Sequence, residues 1–375
     1  MTTKDVSVCA FTTKAMKFSR MMRRLGYRTI LYWGEDNEAE CDEHVPLYTR
    51  EEQKAWYGDL DANTLPSRAT WNAADVQWRT MNGRAVAEIA SRWEHGDLLL
   101  ILAGLAQERI TQALPNYLAC EWAAGYEGWH LPYVCFESYA WMNWGYGNRG
   151  IKDGRWYDTV IPNFFDEDEW PVNQGGGDYL LFVGRMIARK GPHVAAQIAQ
   201  EVGMPIKFAG SGVTSASSTR IECEGWGFDG VDMEYVGTVG GDERARLMAG
   251  ARALICPTTY IEPFGAVAVE AQICGTPAIA TDWGAFPETI IQGAGGYRFR
   301  TLREGVDAVE QAAALDPVEI RRRALERYSL DAVGPEYDRW FKQLLGLYEG
   351  GWYAGTSHAT PARSIVNMAG QPRAA

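Results

Sequence analysis

No two cysteines of this chain stand in a Cys-x-x-Cys pair, and no apolar run is long enough to cross a bilayer. The first absence leaves no paired-thiol motif for metal or redox chemistry. The seven cysteines, at 9, 41, 120, 135, 223, 256 and 274, are odd in number and scattered through apolar segments, which suggests buried thiols. No transmembrane segment is expected, and no signal-peptide pattern opens the sequence, so a cytoplasmic location (host cytoplasm for a viral protein) is expected. Positive charge is also short. The 36 Lys and Arg against 48 Asp and Glu leave a net charge of −12, which favours solubility and argues against general coating of nucleic acid. Of the five histidines, His44 and His130 in the N-terminal half read as structural. Two acidic triplets, Asp59-Leu-Asp61 and Asp166-Glu-Asp168, have metal-ligand spacing but lie in polar, loop-like sequence, and no metal or other cofactor is expected. What remains is ample apolar content, 46% of 375 residues, enough for two domains with separate cores.

The most informative segment is Tyr260-Ile-Glu-Pro-Phe-Gly-Ala-Val-Ala-Val-Glu270. The preceding run 251–256 is short, apolar and stopped by Pro257, as at the end of a buried parallel strand. A helix from about Phe264 to Cys274 follows. Glu262 then stands at the mouth of a strand-to-helix turn, where open α/β sheets bind ligands. The amides of Phe264, Gly265 and Ala266 sit at the positive end of the helix dipole, an anion site. Glu270 has Ala266, Val267, Ile273 and Cys274 as helical neighbours, none of them cationic. Buried there, it needs a bonding partner, and the paired hydroxyls of a sugar fit; rotated outward, it reaches solvent.

Cations come from a second segment. Tyr179-Leu-Leu-Phe-Val-Gly184 reads as a buried strand, followed by Arg185-Met-Ile-Ala-Arg-Lys190-Gly191 and a helix. Arg185 and Lys190 can converge on a phosphate-bearing ligand, one as a planar fork and the other as a compact charge.

With these residues in place the chain resembles the retaining nucleotide-sugar glycosyltransferases of the GT-B fold, family 4. The likeness rests on Val183–Gly191, Ala209-Gly-Ser-Gly212, Glu234-Tyr-Val-Gly237, Glu262-Pro-Phe-Gly265 through Glu270-Ala271, Gly275-Thr-Pro277 and Gly284-Ala-Phe-Pro-Glu288, in order and spacing. It covers roughly residues 158–300. The resemblance implies two Rossmann-like doubly wound α/β domains facing across a cleft. It implies that Arg185 and Lys190 bind the donor diphosphate and that Glu262 contacts the donor sugar beside the amides of Phe264, Gly265 and Ala266. Glu270 then holds the ribose, and Gly184, Gly210, Gly212 and Val236 line the nucleobase and phosphate loops. Front-face displacement needs no side-chain general base, so none is named.

The resemblance also sets the boundaries: an N-terminal acceptor domain over 1–165, a linker over 166–177, and a nucleotide-sugar domain over 176–334. A helix at about 335–349 crosses back to the first domain, and 350–375 form a mobile tail. In the second domain, strands near 179–184, 205–209, 233–237, 252–256 and 277–281 are expected to alternate with helices. The first 150 residues resemble the family poorly. Val8, Phe11, Ala15, Phe18, Met22 and Leu25 form a helical stripe predicting one helix over roughly 4–25, with Thr2 or Thr3 as cap; the competing reading is a strand at 6–11 and a Thr12-Thr13 loop. No Gly-Gly pair supplies the family's phosphate loop there.

Lys14, Lys17, Arg20, Arg23, Arg24 and Arg28 give the same segment a basic face suited either to solvent or to an anionic acceptor, lipid-linked or nucleic acid. Eleven of the fifteen tryptophans precede residue 171, in the half expected to bind acceptor. The stretch 136–149 reads as a loop, and Glu137, Trp141, Trp144 and Tyr146 are its acceptor-side candidates with Lys14 and Lys17. Glu137 and Ser138 stand where the family often has a histidine. The expected activity is retaining, metal-independent sugar transfer from a UDP- or GDP-sugar to a hydroxyl of a glycan or small molecule. One alternative is transfer to hydroxymethylated pyrimidines of phage-type DNA; another is a non-catalytic sugar-nucleotide-binding protein.

Overall fold

The computed structural model describes residues 10–58, 70–173 and 175–353. The first half opens with helix α1 (Ala10–Arg24), then parallel strands β1 (Ile30–Gly34) and β2 (Glu43–Tyr48) and helices α2 (Arg50–Tyr57) and α3 (Val76–Arg92). A four-stranded parallel sheet follows, in spatial order β3 (Leu99–Ile101), β4 (Ala119–Ala124), β5 (Val134–Phe136), β6 (Thr159–Val160). Helix α4 (Glu108–Ala113) precedes β4, and α5 (Tyr139–Asn148) follows β5.

The predicted helix near the start is present from Ala10. Thr12 and Thr13 lie inside it, so the strand-and-loop alternative fails there, while residues 1–9 lie outside the described residues. Its Phe18, Met21 and Met22 are buried against β4, β5 and a C-terminal helix; Leu25 is exposed, so the buried stripe ends one turn sooner than the sequence suggests.

The stretch 136–149, expected to be a loop, is mostly helix α5. Glycines and asparagines hide a helix started by Ser138, whose side chain accepts from Trp141 N.

The second half holds a six-stranded parallel sheet in the order β12-β8-β7-β13-β14-β15. Its strands are β7 (Leu180–Val183), β8 (Ile206–Ala209), β12 (Met233–Gly237), β13 (Ala253–Cys256), β14 (Ala278–Thr281) and β15 (Gly296–Phe299). Every residue of β13 and β14 is buried, as expected of strands covered on both faces. Helices α6 (Pro192–Val202), α7 (Gly241–Gly250), α8 (Ala266–Cys274), α9 (Phe286–Thr289), α10 (Leu302–Ala312) and α11 (Pro317–Tyr328) cover it. The strand order runs outward in one direction from β7 and in the other from β13. The topological switch point, where such sheets open a crevice at their carboxyl ends, therefore lies between β7 and β13.

Two features depart from the expected alternation. Between β8 and β12 there is no helix but an antiparallel meander, β9 (Val213–Ala216), β10 (Arg220–Cys223) and β11 (Trp226–Asp229). Ile221, Cys223 and Phe228 alternate inward onto the core beneath α6, and Gly225 turns the second hairpin at φ +76°. Strand β15 is the other addition.

Helix α12 (Leu330–Leu345) begins five residues earlier than the sequence suggests. Ser329 caps it, and Pro335 sits within it rather than at its start. Its Val333, Tyr337, Trp340, Phe341 and Leu344 pack on α1 and the first sheet. The Gly-rich connection is not slack: Trp170 is buried, and Asn173 Nδ2 donates to Ala251 O (3.0 Å) and Thr276 Oγ1 (2.6 Å). Residues 350–353 carry a short 3₁₀ turn; 354–375 lie outside the described residues. Among the described residues no helix is long and apolar enough to cross a membrane.

Candidate functional site

The loops leaving β7, β8 and β12 lie side by side at the carboxyl edge of the sheet. Gly184 N donates to Ala209 O (2.9 Å), Gly210 N to Gly237 O (2.8 Å) and Met186 N to Ser211 O (2.8 Å). Tyr235 Oη, beside Val236, donates to Gly210 O (2.8 Å). A side chain on Gly210 would collide with the Gly184 carbonyl, and its φ of +143° is a conformation that L residues rarely adopt. Gly184, Gly210, Gly212 and Val236 thus share one rim.

Across the switch point the loop after β7 is fastened to the loop after β13. Arg189 O accepts from Thr259 N (2.8 Å) and from Thr258 Oγ1 (3.1 Å), and Gly191 sits in left-handed conformation against Pro257 O. This fastening carries Lys190 to Glu262: Nζ lies 2.8 Å from Oε2 and 3.1 Å from Oε1. The same ammonium stands 4.8 Å from the centre of the Tyr260 ring, with the Arg189 guanidinium 5.0 Å from it. Burial alone lowers the Lys190 pKa, but Glu262 and Tyr260 outweigh burial and hold it above the ordinary lysine value. The Arg185 side chain is exposed just past β7 and makes no ion pair or hydrogen bond among the described residues, while its carbonyl accepts from Ile187 N (2.8 Å). Its guanidinium faces no protein acid that would have to be displaced by an anion.

Helix α8 starts at Ala266, two residues later than the sequence suggests, with Gly265 in left-handed conformation at its cap and Phe264 buried. Glu270 is only 7% exposed, which settles the outward-facing alternative. A protein partner exists that the helix's own neighbours do not reveal: Arg244 Nη2, from α7, lies 3.2 Å from Glu270 Oε1. Sequence reading had no signal for Arg244, because the contact joins two helices 26 residues apart.

The N-terminal domain meets this site at the start of α5. Ser138 Oγ donates to Pro263 O (2.6 Å), and the amides of Tyr139 and Ala140 donate to the Glu288 carboxylate at 2.9 and 2.8 Å. Ile261 packs with the aromatic cluster of the first domain. Ser138 and Glu288 were visible only as motif positions; that they meet is a product of the fold.

The acceptor-side candidates separate. Glu137 is buried beside Gly125 and ion-paired with Lys14 at the cleft wall, one residue from Ser138. Lys17 pairs with Glu169 at 2.5 Å and lies 5.8 Å from the Phe165 ring, at the interdomain connection. Trp141 is buried and stacks on Trp144, ring centres 4.4 Å apart, and Tyr146 Oη donates to Asp158 Oδ2 (2.7 Å). These three rings belong to a packed cluster with Trp129 and Phe136 rather than to an open sugar platform.

The basic face of α1, with Arg28 just beyond its end, is likewise engaged. Arg20 pairs with Asp166 and Glu40, Arg23 with Asp42, Arg24 with Asp331 and Arg28 with Glu43. Asp166, first of an acidic triplet, is thereby an ion-pair partner of α1 and the cap of a 3₁₀ turn. Asp59 and Asp61 lie outside the described residues.

Two Rossmann-like domains, each a parallel sheet opening onto a shared crevice, define a fold of the GT-B type. Residues 177–315 match the family described as glycosyl transferases group 1. Among curated proteins, the glycogen synthase of Mycobacterium tuberculosis (strain ATCC 25618 / H37Rv) is 30% identical over 182 residues, 44% of this chain and 42% of its own. A D-inositol 3-phosphate glycosyltransferase of Mycobacterium marinum is 32% identical over 142 residues, covering 36% and 29%. The chain thus spans less than half the length of these curated relatives. Among solved structures, AviGT4, a glycosyltransferase involved in avilamycin A biosynthesis, superposes with a TM-score of 0.61 at 18% identity, covering 90% of both chains. Anabaena HepE in complex with UDP-glucose superposes at 0.60 with 13% identity, over 89% of this chain and 96% of that one. At such identities the superpositions establish the fold.

Proposed function

We propose that this chain is a retaining glycosyltransferase that moves a sugar from a nucleoside-diphosphate donor, UDP- or GDP-linked, to an acceptor hydroxyl without a metal ion. The observation that carries the reading is the Lys190–Glu262 pair at the switch point, flanked by an exposed Arg185 and the glycine rim. In the proposed reaction the bond between sugar C1 and the phosphate oxygen breaks, and its electron pair stays on that oxygen. The acceptor oxygen bonds to C1 from the same face, and its proton passes to the leaving phosphate. Charge grows on the diphosphate as the bond breaks; Lys190, held by Glu262, offsets it, and the exposed Arg185 is free to turn onto the same phosphates. Lys190 is held as a cation by its neighbours, so it is ready for this role at neutral pH. Glu262, one hydrogen bond from Lys190, orients that ammonium and lies where donor sugar hydroxyls would reach it. Curated relatives of part of the chain carry the names glycogen synthase and D-inositol 3-phosphate glycosyltransferase, which supports the same class of reaction.

The test is incubation with a panel of UDP- and GDP-sugars and neutral hydroxyl acceptors, following nucleoside diphosphate release, with the anomeric configuration of product read by NMR. Release with retained configuration, unchanged by EDTA, is expected. Inverted product, or strict dependence on added Mn²⁺ or Mg²⁺, would overturn the mechanism, and failure to bind any nucleoside diphosphate would overturn the function.

A further inference from the structure

We infer that Arg244 is a positioning residue, which holds the carboxylate of Glu270 so that its second oxygen is presented to the neighbouring hydroxyls of the nucleotide pentose. The inference rests on the proposed donor site and adds to it a residue, a partner and a source of selectivity.

Three observations carry it. The ion pair is one-sided: Arg244 Nη2 reaches Glu270 Oε1, while Glu270 Oε2 is buried with no hydrogen-bond partner among the described residues. Arg244 Nε and the indole Nε1 of Trp170 are buried and unpartnered as well, and the guanidinium carbon lies 5.5 Å from the centre of the Trp170 ring. Buried polar atoms are rarely left bare, and three in one cluster mark a place where a ligand or ordered water completes the bonding. An arginine that only neutralised the carboxylate would grip both oxygens with its fork. This one leaves an acceptor free.

The position suits the donor. Arg244 lies in the first turns of α7, the helix that follows β12, and Glu270 in those of α8, which follows β13, eight residues beyond Glu262. Both helices start at the carboxyl edge of the sheet, the edge that carries the glycine rim and Lys190. A buried anionic acceptor asks for hydroxyl donors, and a ribose offers two on adjacent carbons. Trp170 is itself anchored, since its carbonyl accepts from Arg321 Nη1 at 3.0 Å. Removing Arg244 leaves Glu270 buried, unneutralised and free to turn, and the preference for ribose over deoxyribose should vanish with it.

The experiment is calorimetric binding of UDP and GDP, each against its 2′-deoxy counterpart, to the wild-type chain and to Glu270→Gln, Arg244→Gln and Arg244→Lys, with thermal melting of each variant. The wild type is expected to prefer the ribonucleotide by about tenfold or more. Glu270→Gln and Arg244→Gln should bring the ratio to near one with deoxynucleotide binding little changed, and Arg244→Lys should restore part of it. An Arg244→Gln protein that melts like the wild type and keeps its ribose preference overturns the inference, as does equal weakening for both sugars. If Arg244→Gln does not fold, an unchanged ratio in Arg244→Lys, which keeps the charge but loses the guanidinium geometry, overturns it. A wild type that binds diphosphates without preference refutes the inference while leaving the donor site standing; a wild type that binds none refutes both.

Discussion

Replacing Glu288 by alanine removes a carboxylate that reaches from one domain to the other. Its oxygens accept from the first two amides of α5, Tyr139 N at 2.9 Å and Ala140 N at 2.8 Å. A hydrogen bond to a charged group contributes about 1.5–3 kcal/mol net, and a carboxylate at a helix start gains about 0.3–1 kcal/mol from the dipole. Tyr139 is 59% exposed, so water replaces much of what is lost, and the low end applies. About 1–2 kcal/mol is then withdrawn from the closed arrangement, a shift of roughly 5–30-fold in the balance between closed and open domains. The Ser138–Pro263 bond and Ile261 remain as a partial hold.

Small-angle scattering of the free protein should show a larger radius of gyration for Glu288→Ala, and more so for Glu288→Ala with Ser138→Ala. Nucleotide affinity should fall by up to the same factor if both domains grip the ligand. A double variant with unchanged scattering and unchanged affinity would show that these bonds report closure without holding it.

On the proposed mechanism, Lys190→Ala should lower kcat by about 10²–10³-fold with a smaller change in donor binding, because the charge it would meet peaks in the transition state. Equal loss in kcat and affinity would place it in ground-state binding instead. Gly191→Ala should destabilise the fold by more than about 1 kcal/mol, since φ is +77° and the added methyl meets Pro257 O; a melting curve like the wild type's would contradict that packing. Asp158 gives a pH prediction. Burial raises its pKa from 3.8 to about 6, partly opposed by Arg155 and Tyr146. Between those values the folded state binds more protons than the unfolded, so this group's contribution to stability falls as pH rises, by about 3 kcal/mol at most. Asp158→Asn should lack that decline and gain on the wild type between pH 4.5 and 7; parallel melting temperatures across the range would refute it.

The second half of the chain was more legible than the first, for a physical reason. Parallel strands buried on both faces must be short apolar runs, and loops that bring backbone close to a ligand need glycine, so β7, β8, β12, β13 and β14 and their loops show themselves locally. The meander over 213–229 was missed because two-residue alternation beside serine and threonine is a weak signal beside the expectation of a helix. In the first half, α5 looked like a loop because its interior carries glycine and asparagine, while what secures it, Ser138 on Pro263 and Glu288 on its amides, comes from residues more than a hundred positions away. Arg244 and Glu270 make the same point within one domain: a lone carboxylate on an apolar helix shows that a partner is needed but not which one.

Five cations lie on α1 and Arg28 lies just beyond it. Six cations in one segment suggest a surface for an anionic acceptor, yet each is matched by an acid from elsewhere: Glu137, Glu169, Asp166 with Glu40, Asp42, Asp331 and Glu43. A chain with twelve more acids than bases has the carboxylates to do this. Closely paired charges cancel each other's field within a few ångströms, and salt screens the remainder. If this face is where acceptor binds, its paired charges give little long-range attraction for a phosphate backbone or an anionic headgroup, and they lend a DNA acceptor no support. On the proposed function, selection among acceptors would then fall to shape and short hydrogen bonds around Lys14, Glu137 and Ser138. A neutral hydroxyl compound meets those terms, and its turnover should be nearly indifferent to ionic strength, whereas a polyanionic acceptor would lose affinity steeply as salt rises.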